Sequence, residues 1–434
     1  MKLRQIEKLP KFLIDLKFAI GILIVIAIAS SLGSFIEQDE SKNFYEINYS
    51  NKNPIYGFIT AKLIFALGLD HTYTTWWFLG LLVILAISLT GCTLTRQFPL
   101  LKNSKEYFFK KRKESYLNLP FVIKFKKNFY LNEKILLKLQ NLNLYLYQNK
   151  NLIYGYRGLI GRISPILVHL SLLIILFGGG LGAFKNFKAQ EILPKGEIFH
   201  IQNTIKIGNF TSLPNFTTRV NDFWVEYNNE KINQFYSNLS ILDNFGNELK
   251  NQTISVNNPL RFKNIDIYQS DWNLLGIRLK NQETKKIYEY PVFPLKEKTK
   301  SWITWVKTDS SINTLIFDQF QNTFTIYSEE GELLETKNLN EYINEKYAVI
   351  DLLPATGLLI KFDPSIKFIY LGFGLLIITT FLSYLPYTQF WVLDYSKNIW
   401  IGSSTNRGKI QLEIEFENLI REMENKISKN SFSK

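Results

Sequence analysis

The side chains able to do nucleophilic or metal chemistry are few in this 434-residue chain: three histidines, His71, His169 and His200, and one cysteine, Cys92. A lone cysteine excludes an intramolecular disulfide, a CxxC redox pair, a cysteine zinc cage and a CxxCH haem-attachment site. No Gly-x-Ser-x-Gly elbow occurs, and the run Gly178-Gly179-Gly180-Leu181-Gly182 lacks the Lys-Ser/Thr of a phosphate loop. That run reads either as a close helix contact or as a flexible exit from a membrane span. Paired carboxylates such as Asp266 and Asp271 carry no local mark of catalysis. No catalytic residue is assigned.

His169 stands apart from the other two histidines. It lies in Gly161-Arg162-Ile163-Ser164-Pro165-Ile166-Leu167-Val168-His169-Leu170-Ser171. Ser164 is placed to cap a helix and Pro165 to be its first residue. His169 then falls about one turn inside an apolar span. Burial favours the neutral imidazole, which keeps a lone pair for a metal or a haem iron. An ionisable group inside a membrane is a functional signal. The structural reading is an interhelical hydrogen bond to Ser, Thr or a carbonyl. The residues alone leave both open. His71, beside Asp70 and just before Trp76-Trp77, reads as an interfacial belt residue. His200 reads as a solvated loop or strand residue, and Cys92 as a small packing residue.

The elements that must position His169 are apolar. Four segments are long enough for a bilayer, 18–36, 76–94, 165–184 and 366–385, and none contains an acidic residue. Around them lie 1–17, the loop 37–75, the insert 95–164, the large segment 185–365 and the C-terminal region 386–434. Residues 1–17 carry five Lys/Arg and two acids, 37–75 three and five, and 96–162 fifteen and three. The positive-inside rule therefore places both termini and the insert on the cytoplasm-equivalent side, and 185–365 opposite. The formal net charge of +13 is thus a topological signal and not evidence for nucleic acid, and no nucleic-acid partner is expected. The first span lacks a small-residue cleavage site and reads as an uncleaved helix.

The insert predicts a strand at 121–125, a helix at 133–139 and a hairpin over 144–156 turning at Asn149-Lys150-Asn151. Five runs rich in β-branched and aromatic residues, 223–225, 237–242, 265–268, 302–306 and 324–327, predict a β-rich sandwich or barrel-like domain. The C-terminal region predicts a strand or hairpin, then an amphipathic helix over about 410–427. Residues 37–75 are expected to form a short loop, with Tyr56-Gly57 and an apolar stretch 58–69 in the interface. The fold class expected is a multi-pass membrane protein. It has four transmembrane α-helices, a large β-rich extramembrane domain and small α+β segments on the basic side.

The order of several blocks resembles the ResB family of system II cytochrome c biogenesis proteins, over nearly the whole chain. These blocks are Leu67-Gly68 through Trp77-Phe78 to Gly91-Cys92-Thr93, Arg96 and Pro99; Gly161-Arg162 through Pro165 to His169; Gln234-Phe235-Tyr236-Ser237 with Leu239-Ser240; Asn258-Pro259-Leu260 with Ile267-Tyr268-Gln269-Ser270 and Trp272; Thr356-Gly357-Leu358 with Asp363-Pro364; and Asn406-Arg407-Gly408.

The resemblance implies one half of a haem delivery and attachment complex, an accessory subunit more than an enzyme. A CcsA-type haem-handling membrane protein would be its partner. It maps the family's intramembrane histidine onto His169, as an axial ligand to the iron of haem b in transit. It implies apocytochromes c as clients, such as cytochrome f and a soluble lumenal cytochrome c. The location implied is a plastid or cyanobacterial thylakoid membrane, with both termini stromal or cytoplasmic. His71 and His200 match no block, and the role of Asp363 stays open, with helix capping near the fourth span as one reading. A rival class is a non-haem scaffold for assembly of photosynthetic or respiratory complexes.

Overall fold

The computed structural model describes residues 11–50, 54, 59–105, 108–127, 131–228, 231–296, 299–307, 312–318, 323–344 and 346–431. Residues 1–10 of the basic N-terminal segment and the Tyr56-Gly57 pair lie outside the described residues. The chain divides into two compact units. One comprises residues 1–38, 42–180 and 365–434; the other comprises 39–41 and 181–364.

The first unit carries the membrane helices. Four are long and apolar enough to cross a bilayer: Leu16–Phe35, Trp76–Lys102, Ile160–Lys185 and Ile366–Ser383. Large apolar side chains such as Ile24, Ile28, Val83, Phe177 and Phe381 stay exposed on them, as lipid-facing residues do. Ile22, Leu85 and Leu89 form a buried cluster joined by Leu172, Leu173 and Leu176, so the first three helices meet there.

The third and fourth helices approach through glycine. A Cβ at Gly372 would stand 2.5 Å from Ile175 Cγ1 and 3.2 Å from the Ser171 carbonyl oxygen. One at Gly178 would stand 3.1 Å from Ile369 Cγ1. Of the glycine run, then, Gly178 is a packing contact, while Gly179 and Gly180 face open space.

The third helix starts earlier than the Ser164-Pro165 pair predicts. It begins at Ile160, with Pro165 inside it. The first turn is closed by Gly158 and Leu159, whose carbonyls accept from the Gly161, Arg162 and Ile163 amides. Ser164 donates its hydroxyl to the Ile160 carbonyl at 2.7 Å instead of capping. Pro165 lies past the first turn, so it forfeits the backbone bond that an N–H there would give the Gly161 carbonyl.

The insert and the C-terminal region, separate in sequence, form one α+β layer. Their five-stranded antiparallel sheet runs in the order Phe121–Lys126, Asn398–Thr405, Thr388–Tyr395, Leu152–Arg157, Tyr145–Asn149. Alternation along Thr388–Tyr395 sends Phe390 and Val392 to one face and Trp391 and Leu393 to the other. The first face is covered by helices Leu131–Asn141 and Lys409–Ser431, with Ile135, Leu139, Leu412 and Phe416 in the core. The second packs Tyr116, Tyr154 and Trp391.

Between the first two membrane helices the chain is helical where a loop was expected. Lys42–Asn48, Ala61–Leu67 and a 3-10 segment Leu69–Thr74 pack around Ile36, Tyr45, Tyr49 and Ile64. The Tyr49 hydroxyl donates to Glu37 Oε2 at 2.5 Å.

The second unit is a sandwich. Its seven-stranded sheet runs Leu260–Phe262, Ile265–Asn281, Tyr347–Phe362, Phe187–Pro194, Thr204–Ile207, with Ile287–Pro291 and Tyr342–Asn344 as side pairings. One part of it packs on a four-stranded sheet through Ala189, Val220, Leu239, Ile254, Ile267 and Leu358. Another part packs on a five-stranded sheet through Leu274, Ile277, Trp302, Leu315, Phe317 and Phe324. All five predicted runs lie in strands.

Candidate functional site

The site begins where the second membrane helix changes register. Trp76–Cys92 is α-helical, Thr93–Gln97 is a π turn, and Phe98–Lys105 resumes the α-helix. The Phe98 amide reaches back to the Thr93 carbonyl, five residues away. Pro99 follows within the same continuous helix, where its missing N–H removes one backbone bond beside the π turn. Such π turns recur at functional sites because they re-aim side chains.

Here the wide turn aims Thr93 and Gln97 at the same target. Thr93 Oγ1 lies 2.8 Å from His169 Nδ1, and Gln97 Nε2 lies 3.2 Å from His169 Nε2. The hydroxyl proton of Thr93 goes to the Leu89 carbonyl at 2.8 Å. A hydroxyl has one proton, so toward His169 the Thr93 oxygen accepts, and His169 Nδ1–H donates. That fixes a neutral imidazole protonated at Nδ1. Its Nε2 lone pair is left to accept from the Gln97 amide. A second group that fixes tautomer and ring orientation is the usual companion of a metal-binding histidine.

The cluster is not internally complete. His169 is half-buried, and the Gln97 carbonyl oxygen is buried with no hydrogen-bond partner. One ring nitrogen is held firmly and the other weakly. A ligand at Nε2 would have to displace the Gln97 amide, at the loss of one longer hydrogen bond. Among the described residues no group of three or more His, Cys, Asp or Glu could hold a metal ion.

The other sequence candidates do not join this site. His71 lies 3.0 Å from Asp70 Oδ1, with half its side chain exposed, in the segment before Trp76. His200 is exposed in the sandwich unit. Asp363 lies two residues ahead of Ser365, which occupies the cap position of the last membrane helix. Cys92 is a free, half-buried thiol immediately before the π turn.

Several blocks quoted from the sandwich unit prove to be architectural. Gln269 Oε1 accepts from the Ser237 hydroxyl at 2.5 Å and the Thr356 hydroxyl at 2.9 Å, and Gln269 Nε2 donates to the Asp271 carbonyl at 2.8 Å. The ladder is interrupted there between Gln269 and Asp271. Gly357 sits against that bulge, where a Cβ would stand 2.7 Å from Asp271 backbone. Trp272 stacks with Phe235 at 5.9 Å and meets Trp302 at 5.1 Å.

Sequence reasoning found His169 and quoted Thr93 but passed over Gln97. The available signal was two polar residues four apart just before a proline, at the end of an otherwise apolar span.

A family model described as the ResB-like family matches residues 16–337, and the chain belongs to that family. A cytochrome c biogenesis protein Ccs1 of Thalassiosira pseudonana is 43% identical over 422 residues, covering 96% of this chain and all of that protein. A cytochrome c biogenesis protein CcsB of a Synechococcus strain is 37% identical, covering 96% of this chain and 92% of its own. A Ccs1 protein of Porphyra purpurea is 38% identical, covering 92% and 93%.

Proposed function

We propose that this chain is a c-type cytochrome biogenesis factor of system II. In this reading it acts with a CcsA-type partner to deliver haem to apocytochromes c, cytochrome f and a soluble lumenal cytochrome among them. His169 serves as an axial ligand to haem b in transit through the membrane. The relatives named for cytochrome c biogenesis support the process. The observation that carries the role of His169 is its fixed tautomer. With Nδ1–H engaged by Thr93, the lone pair on Nε2 faces only a displaceable amide.

Haem is cargo here, and its iron supplies a ligation site for imidazole. Thr93 orients the ring and raises its basicity. Gln97 occupies Nε2 in the absence of haem and so keeps the buried nitrogen satisfied. The charge bias of the loops supports a topology with both termini and the insert stromal or cytoplasmic, and residues 37–75 and 185–365 lumenal. Algal and cyanobacterial relatives favour a plastid or cyanobacterial thylakoid membrane.

One observation favours the scaffold reading: both ring nitrogens of His169 already have partners, as in a purely structural histidine. The visible spectrum of the chain co-expressed with its partner separates the two. The haem reading expects a Soret band that weakens or shifts in His169→Ala, with holocytochrome c lost and partly restored by added imidazole. Unchanged haem content and cytochrome maturation in that variant would leave this chain a scaffold.

A further inference from the structure

Arg162 lies seven residues before His169 on the same helix. At 100° per residue the two share one face, about 10 Å apart along the axis. Arg162 stands at the end of the span and His169 within it.

The guanidinium is held but not neutralised. Its carbon sits 5.0 Å over the ring of Tyr387. Its Nε is buried with no hydrogen-bond partner, and no carboxylate among the described residues pairs with it. The mount beneath it is rigid. Tyr387 is 1% exposed, its hydroxyl donates to the Ser104 carbonyl at 3.2 Å, and its amide donates to Asn406 Oδ1 at 2.8 Å. The backbone around Arg162 is pinned as well. A Cβ at Gly161 would stand 2.1 Å from the Leu385 carbonyl oxygen, and one at Gly158 2.0 Å from that of Pro386. A second guanidinium, Arg407, lies over Tyr384 at 5.2 Å, but it is exposed.

A buried, unpaired N–H on a fixed cation calls for an anion. An amphipathic cargo supplies one. Haem has an apolar macrocycle with two carboxylates on one edge, so its iron belongs in the hydrocarbon and its carboxylates at the polar boundary. The pair Arg162 and His169 has that polarity and a separation of two helical turns. We propose that Arg162 is a positioning residue that receives a haem propionate, setting the depth and orientation in which His169 meets the iron. This rests on the reading of His169 given above. An anionic lipid headgroup has related chemistry and is the competing source of the anion.

The test uses the full chain in phosphatidylcholine nanodiscs, titrated optically with haem and with haem dimethyl ester, whose propionates are blocked. Wild type is expected to prefer free haem by roughly 10- to 100-fold, the range of a charge-assisted hydrogen bond. Arg162→Gln should lose that preference while binding the ester like wild type, with the same Soret position. The unchanged ester binding shows that the variant is folded. Arg162→Lys should keep part of the preference. Equal binding of haem and ester by wild type, or a preference that survives in Arg162→Gln, overturns the proposal and leaves His169 untouched. A preference that survives while dependence on added phosphatidylglycerol is lost assigns the anion to lipid and also overturns it. His169→Ala binding both compounds like wild type would instead overturn the ligand reading, and a wild type that binds neither overturns both.

Discussion

Two polar clusters in this molecule differ in how they are finished. In the sandwich unit, the buried Gln269 carboxamide spends both of its ends on partners: two hydroxyls on the oxygen and a carbonyl on the nitrogen. In the membrane unit, Gln97 spends only its nitrogen, and Arg162 leaves Nε unused. The side chains are alike, with Gln269 buried and Gln97 half-buried. A satisfied network fixes a strand register and a bulge; an unsatisfied one keeps capacity for something that arrives. Both clusters contain residues from blocks shared in order with the family. Block membership therefore does not separate the two clusters, whereas hydrogen-bond accounting does.

The contrast can be broken in order of expected effect. Gly357→Val drives a branched side chain into the Asp271 backbone at the bulge and should destabilise the sandwich unit by about 3 kcal/mol. Denaturant unfolding of the full chain in detergent measures it, and a wild-type midpoint would show that the bulge yields. Thr356→Val removes one donor from Gln269 and should cost about 1–2 kcal/mol in the same measurement, with haem affinity unchanged. A loss of haem affinity in that variant would mean that the two clusters are not functionally separate.

Thr93→Val reverses the pattern. It removes the group that holds His169 Nδ1 and should lower haem affinity about 10-fold, with little change in unfolding. Unchanged affinity would show that the tautomer is not set by Thr93.

The smallest effect concerns Tyr49, whose phenol is pushed up to about 12 by burial first and by its bond to Glu37 second. Below pH 10 the phenol is protonated folded or unfolded, and its contribution to stability is constant. From pH 10 to about 12 the unfolded chain releases this proton and the folded chain keeps it, so stability falls with rising pH. Tyr49→Phe should flatten that part of the pH–stability curve, and a slope identical to wild type would place the titration elsewhere.

Much of the molecule was legible from local patterning. The four spans announce themselves by length and absence of charge, and the five β-rich runs by composition. The insert helix and hairpin appear within a few residues of their predicted places. What stayed hidden depends on distant pairing or backbone register. Nothing local to Asn398–Thr405 tells it to insert beside Phe121–Lys126, and nothing local to Tyr347–Phe362 tells it to lie between Ile265–Asn281 and Phe187–Pro194. The π turn is likewise a matter of which carbonyl an amide chooses, which hydropathy does not record. The helix start at Ile160 was missed because Ser164-Pro165 is a good capping signal that tertiary contact at Gly158 and Gly161 overrides. His169 was visible as an oddity, but its tautomer needed Thr93 in three dimensions.

The interleaved sheet makes the order of synthesis matter. Strand Asn398–Thr405 pairs with Phe121–Lys126 on one side and Thr388–Tyr395 on the other. Until the ribosome has made it, the insert that emerged long before keeps a bare edge and an uncovered row of Phe125, Ile153 and their neighbours. Sealing that edge requires the last membrane helix to have been made, because the helix precedes both C-terminal strands. The closing strand thus works as a receipt: a chain truncated before it leaves one edge of Phe121–Lys126 unpaired, and a chain that has made it pairs that edge.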